Sequence, residues 1–157
     1  MKLEYFRLID RVVSIDSVAR TIEAEANVPA ESTIFEGHFP GMPLMPGVLL
    51  METMAQASGW LIISLTKFTG MPLLAAFKEA KLRSFIKPGT ALIASATLQH
   101  EGSGFAITQA EIKRDGRLVC NAEITFRLVP FPNPEFLSNL KEVATSIGLP
   151  VEASADG

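Results

Sequence analysis

Two short stretches open the chain in which apolar and polar residues roughly alternate, at residues 6–16 and 20–28, and they predict two strands. Residues 29–47 break the alternation with four prolines and three glycines, which predicts an irregular loop. From Val48 to Leu65 the chain is apolar nearly throughout, and Glu52 is the single charge in 18 positions. A helix apolar on nearly all sides is a buried helix. Pro46 suits its first turn, and Gly70 with Pro72 predicts a stop at Phe68.

Beyond the helix the period changes to two. Residues 73–85, 90–100, 105–116 and 117–129 predict about four strands, separated by turn signals at Pro88-Gly89, at 101–104 (EGSG) and at Asp115-Gly116. In the last strand Leu118, Cys120, Ala122, Ile124, Phe126 and Leu128 share one face, and Asn121, Glu123, Thr125 and Arg127 share the other. Two strands, one long apolar helix and four antiparallel strands predict an α+β domain whose sheet curls around the helix. That domain spans residues 1–130, and residues 131–157 form a tail. Within the tail, 135–147 predicts a short helix and the last nine residues predict loose chain.

With 157 residues, 48% of them hydrophobic, the chain has the size and composition of one globular domain. Its net charge of −3 argues against general nucleic-acid binding, which requires a basic face. A lone cysteine, Cys120, excludes an internal disulfide and fits a reducing compartment. The first ten residues lack the apolar core of a signal peptide, so a cytoplasmic location is expected. The apolar block is long enough to raise the question of a membrane span. Glu52 and Gln56 inside it argue for a core helix instead.

Candidate chemistry concentrates in residues 36–56, EGHFPGMPLMPGVLLMETMAQ. Taken alone, His38 in a loop reads as a solvated or structural histidine, and Glu52 in an apolar helix reads as half of a salt bridge. Together, fourteen positions apart, they are a candidate base and acid. Met42, Met45, Met51 and Met54 read as core or cavity lining, and His100 and Cys120 lack metal-ligand spacing, so no metal is expected.

The pattern G-H-F-P-G, then P-x-x-P-G-V, then E-x-x-A-Q closely resembles the signature of the β-hydroxyacyl-acyl-carrier-protein dehydratases of the FabZ family. It is carried here by His38 to Gly41, Pro43, Pro46 to Val48, Glu52, Ala55 and Gln56. Weaker similarity extends over roughly residues 5–129, through FRLIDRV at 6–12, KPG at 87–89 and AEITF at 122–126. The resemblance implies the hot-dog fold and a homodimer, often assembled into hexamers, in which His38 of one subunit faces Glu52 of its partner. It implies (3R)-hydroxyacyl-carrier-protein dehydration to the trans-2-enoyl product, with no cofactor. A related bifunctional family has aspartate at the position of Glu52, so no double-bond isomerisation is expected here. Two features depart from the pattern. The usual opening segment L-P-H-R-Y-P-F is nearly absent, and the chain's only tyrosine, Tyr5, does not stand where some members gate their acyl tunnel. The tail after Val129 is also outside the pattern.

The chemistry assigns each residue a task. Removing a proton from C2 and hydroxide from C3 of a 3-hydroxyacyl thioester needs a base, an acid and a site for the enolate-like oxygen. His38 is the base, and Glu52 protonates, or orients and polarises, the departing hydroxyl. Apolar surroundings would favour the neutral carboxyl that donation requires. The N–H groups of Gly47 and Val48, at the helix start, are expected to hold the thioester oxygen. Gln56, four residues past Glu52, is placed to hydrogen-bond it. Lys78, Lys81, Arg83 and Lys87 form a basic cluster that is either a solvated face or the dock for an acidic acyl carrier protein. A hot-dog thioesterase, a CoA-ester hydratase and a non-catalytic acyl-binding module remain alternatives.

Overall fold

The computed structural model describes residues 1–151. Its strands are β1 Arg11–Asp16, β2 Thr21–Glu25, β3 Met71–Leu82, β4 Ile93–Gly102, β5 Phe105–Arg114 and β6 Arg117–Val129. They form one antiparallel sheet in the order β1-β2-β4-β5-β6-β3. The helices are α1 Thr33–Gly37, α2 Gly47–Leu65 and α3 Pro134–Ser146. α2 packs against β2 through β6, so the sheet wraps the helix as the sequence pattern predicts.

Residues on the concave face of the sheet alternate into this core. Ala94, Ala96 and Leu98 of β4, Ala106 and Ala110 of β5, and Ile124 of β6 are all buried. Small residues at many of these positions let the strands approach a helix that carries Leu61, Ile62 and Met54 inward, each fully buried. One buried polar tie links the two layers: Thr108 Oγ1 donates to Ser58 Oγ at 2.8 Å, which satisfies both hydroxyls inside the core. The helix is long and apolar enough to cross a membrane by composition, yet 61% of its most apolar stretch is buried inside the protein.

Turn chemistry fixes the strand registers. Asp115 and Gly116 have φ of 49° and 74°, the left-handed pair that a tight hairpin requires between Arg114 and Arg117. Ser103 and Gly104 repeat the geometry between Gly102 and Phe105. A register shift between Ile112 and Lys113 in the β5–β6 pairing alters the expected alternation at the start of β6. Val119 is therefore buried alongside Cys120, while Leu118 and Leu128 are only half-buried.

Several boundaries differ from the sequence expectation. β1 starts at Arg11, because Phe6 turns with φ 53° after a short 3-10 turn, and Leu8 N donates to Gln56 Oε1 at 2.9 Å instead of to a neighbouring strand. α2 ends at Leu65 because the Thr66 hydroxyl bonds back to Ile62 O and Lys67 and Phe68 adopt left-handed backbone. The loop 29–47 contains α1, which Ser32 caps by accepting from Ile34 N. Of the four motif methionines, Met45 and Met54 are buried and Met51 is half-buried, but Met42 is exposed.

α3 has a clear signal at both ends. Asn133 Oδ1 accepts from Phe136 N at 2.7 Å, with Pro134 at the first helical position. At the other end Gly148 has φ 78°, and the bonds Gly148 N to Thr145 O and Leu149 N to Ala144 O close a Schellman motif. Leu149 is thereby buried, contrary to the expectation of loose chain from that residue on; residues 152–157 of that expectation lie outside the described residues. Val12 N donates to Ile147 O at 2.7 Å, so the tail covers the β1 edge of the sheet.

Candidate active site

His38 follows α1 directly: its N–H donates to Ile34 O, the last turn of that helix. Its backbone C=O accepts from Leu44 N at 2.9 Å, and its ring Nδ1 lies 2.9 Å from Leu44 O. A carbonyl oxygen only accepts, so Nδ1 carries a proton, and the neutral tautomer compatible with this bond has its lone pair at Nε2. Phe39 and Met42 exchange backbone hydrogen bonds across the loop, where Gly41 has φ 75°. The His38 and Phe39 rings stack with centroids 4.0 Å apart.

The histidine lines a cavity of about 400 Å³ that also contains Gly47 and Leu50 of α2 and Leu82, Arg83 and Phe85. The start of α2 thus opens into the same cavity as the imidazole. Leu49 N and Leu50 N both turn back onto Pro46 O, while the N–H groups of Gly47 and Val48 have no partner among the described residues. A Cβ at Gly47 would stand 2.5 Å from Leu82 Cδ1, so the absence of a side chain there leaves room for the Leu82 side chain over the helix end. Val48 is 70% exposed.

Glu52 stands on a different face of α2. It is two residues beyond Leu50, about 200° around the helix. It lines a second cavity, of about 270 Å³, with Gln56, Trp60, Leu73, Leu74 and Phe126 among its walls. The carboxylate is half-buried rather than enclosed by the apolar run, because this cavity opens beside it. Gln56 Nε2 donates to Glu52 Oε1 at 3.1 Å and to Phe6 O at 2.7 Å, and Gln56 Oε1 accepts from Leu8 N. Every hydrogen-bonding atom of the glutamine side chain is therefore used, and the amide cannot turn away from Glu52 without breaking bonds to the N-terminal segment.

Among the described residues none lines both cavities, so within one chain His38 and Glu52 face separate cavities. Lys78, Lys81, Arg83 and Lys87 are all exposed on β3 and the segment after it, and Arg83 reaches the rim of the His38 cavity. His100 is exposed near the end of β4. Cys120 is buried, and burial pushes its thiol up to about 11, which removes it as a nucleophile near neutrality. Trp60, at the same helical spacing from Gln56 as Gln56 from Glu52, was accessible to sequence reasoning as part of that face. The anchoring of His38 by Leu44 O and of Gln56 by Phe6 and Leu8 was not, since main-chain partners carry no side-chain signal.

A search of solved structures finds the same architecture. The chain aligns with conserved protein PA5202 of Pseudomonas aeruginosa at TM-score 0.63 and 20% identity, covering 80% of this chain and 93% of that one. It aligns with a hypothetical thioesterase protein of Streptococcus pneumoniae at TM-score 0.62 and 16% identity, covering 78% and 88%. At these identities the likeness establishes the hot-dog fold alone. Sequence relatives are nearer. The 3-hydroxyacyl-acyl-carrier-protein dehydratase FabZ of Chlamydia pneumoniae is 38% identical over 127 residues, 79% of this chain and 83% of the relative. That of Clostridium acetobutylicum is 38% identical over 123 residues, 78% and 86%. The FabA-like domain model matches residues 1–123. The chain belongs to the FabA-like family and stands within it beside the FabZ dehydratases.

Proposed function

We propose that this chain dehydrates (3R)-hydroxyacyl chains carried on acyl carrier protein to the trans-2-enoyl form, in fatty-acid or related lipid synthesis in the cytoplasm. Residues 1–130 form the dehydratase domain in this reading, and 131–157 its tail. The observation that carries the reading is the imidazole of His38, tied through Nδ1 to Leu44 O, sharing a cavity with Gly47, the first residue of α2, whose N–H has no partner among the described residues.

His38 Nε2 takes the C2 proton. The electrons left at C2 move toward the thioester carbonyl, whose oxygen is held by Gly47 and Val48 N–H and by the positive end of the helix dipole. As the C2–C3 double bond forms, the C3–O bond breaks, and Glu52 supplies a proton so that the hydroxyl departs as water. Gln56 keeps the Glu52 carboxyl aimed by donating to Oε1. The proton on His38 then returns to Glu52 through solvent, and the pair is reset.

A second copy of the chain completes this site. β3 is an edge strand of 12 residues, with β6 its only partner in the sheet among the described residues. It exposes Leu73, Leu74 and Leu82, each at 45–48%. A long, apolar, unpaired edge invites a further strand. The Glu52 cavity lies at the Leu73–Leu74 end of β3 and the His38 cavity at the Leu82 end. Antiparallel pairing of β3 with its own copy therefore sets the His38 end of one chain beside the Glu52 end of the other. This pairing supports the homodimer, and the family resemblance adds hexamers as a further assembly. Lys78, Lys81, Arg83 and Lys87 dock the acidic carrier beside the exposed Phe85.

The direct test is incubation with a 3-hydroxyacyl thioester while absorbance of the enoyl thioester is followed. Release of free thiol would identify a thioesterase instead, and neither signal would leave an acyl-binding module.

A further inference from the structure

The cavity beside Glu52 is not closed by the family domain alone. Part of its wall comes from Phe136 and Leu140 of α3, a helix that lies beyond residue 123, where the family match ends. Four residues apart, these two side chains occupy one face of α3, and that face meets the cavity.

The two halves of α3 differ. The C-terminal end is anchored: Ala144 and, just past the helix, Ile147 and Leu149 are buried, and Val12 N bonds Ile147 O. The N-terminal half overhangs. Phe136 is 38% exposed, Leu140 is half-buried, and Phe131 tilts against Phe136 at 6.1 Å between centroids. Large apolar side chains held at a cavity wall but left half in water gain burial when an apolar ligand fills the cavity.

The cavity has a direction. Its polar groups, Glu52 and Gln56, stand at one end, and Trp60 and Ile63 continue along the same face of α2. From Glu52 to Ile63 the helix advances about 16 Å. α3 approaches from the far end, since Lys141 lies 5.8 Å over the Phe68 ring, past the C-terminus of α2. A ligand with a reacting polar head at Glu52 and an apolar tail along Trp60 runs toward α3.

We propose that α3 is a length-reading wall of the acyl site: Phe136 and Leu140 contact the distal part of long acyl chains, and short chains do not reach them. The occupant is the acyl chain of the substrate in the reading above, on which this inference rests. The selectivity it creates favours long chains, because the wall adds apolar contact only to tails that arrive there.

The test is the double substitution Phe136→Ala with Leu140→Ala, read against acyl length in two assays. In turnover, kcat/KM on long 3-hydroxyacyl-carrier substrates should fall about tenfold or more, with short-chain substrates unchanged. In binding, Trp60, the only tryptophan of the chain, reports occupancy of the cavity by fluorescence. Saturated acyl-pantetheine thioesters, which cannot be dehydrated, should bind the wild type more tightly as they lengthen, and the double variant should lose that length dependence. Phe136→Leu, which keeps an apolar wall, should recover most of it. Because α3 is anchored by Ala144, Ile147 and Leu149, the unfolding temperature should change little. A uniform loss at all lengths, no change, or improved binding of long chains overturns the wall; the last would mean that α3 blocks the cavity. If the wild type dehydrates nothing yet the length-dependent fluorescence is present and lost in the variant, the dehydratase reading fails while the wall stands.

Discussion

His38 and Glu52 are held in place by different means. His38 is fixed by main chain: α1 ends on it, Leu44 pairs with its backbone and its ring, and a glycine with positive φ turns the loop between them. Glu52 is fixed by a side chain, Gln56, which is itself clamped by the backbone of Phe6 and Leu8. In the proposed mechanism His38 is a general base, which needs one fixed tautomer, and the Leu44 carbonyl at Nδ1 favours it. In the proposed mechanism the Gln56 amide, by donating to Oε1, keeps the Glu52 carboxyl aimed. Their separation teaches more than their chemistry. They line different cavities, at the Leu82 and Leu74 ends of a strand that forms a sheet edge among the described residues, and in the proposed function each chain presents two half-sites.

The sharpest way to break the pair is one substitution in each half. Glu52→Gln keeps the shape and the acceptor that Gln56 uses but removes the acidic proton; His38→Ala removes the base. Each should lower kcat about 100- to 10,000-fold with the far-UV circular dichroism unchanged. Near-normal turnover of either variant would remove that residue from the mechanism.

Mixing the two dead proteins sharpens the comparison in the opposite direction. After subunit exchange, each heterodimer has one site with both substitutions and one with neither. A random mixture should recover about a quarter of wild-type activity by the two-fold symmetry of the interface. Mixtures that demonstrably re-assort and stay inactive would place both residues in one chain's site.

Gln56→Leu tests the clamp on the glutamate half alone. It leaves Glu52 without its donor and strands the buried Leu8 N–H, so about tenfold loss in kcat and about 1–3 kcal/mol of stability are expected. A loss confined to KM would show that Gln56 handles substrate rather than Glu52.

The glutamate half was the more legible in sequence. Its helix is written in apolar periodicity, and Glu52, Gln56 and Trp60 recur at helical spacing on one face. The sheet was legible in the two-residue alternation of residues 93–129 and in Asp115-Gly116, whose positive φ the hairpin demands. The histidine half was visible only as a motif. Short-range main-chain bonds within residues 32–44 create α1 and the Leu44 anchor, and a loop rich in proline and glycine does not announce them. The strand ends at residues 6–10 also failed to show, because the competing partner, Gln56, lies about 48 residues away. α3 was expected at 135–147 and spans Pro134–Ser146, and the caps that bound it, Asn133, Pro134 and Gly148, are local signals. Its contact with the Glu52 cavity was not legible, being long-range.

The smallest expected effect concerns the basic residues at the histidine end of β3. Lys78, Lys81 and Lys87 are exposed, and together with Arg83 they put four positive charges within ten residues of a chain whose net charge is −3. The glutamate end of β3, Met71 to Leu74, has no charge. Even with Glu79 among them, these charges leave a net positive patch, and in the proposed function an acidic carrier is drawn to this end of the strand, where its acyl thioester would meet His38. Exposed charges are screened over about 8–10 Å at ordinary ionic strength, so added salt weakens this attraction without touching the buried chemistry. Raising salt should lower kcat/KM on carrier-bound substrate by roughly two- to fivefold, through KM. Turnover of the same acyl group on a small pantetheine thioester, which has no acidic surface to lose, should hold constant. Charge reversal at Lys78 and Lys81 should remove the salt dependence while leaving the pantetheine rate alone. Equal salt dependence for both substrates would make these residues a solvated face of the edge strand.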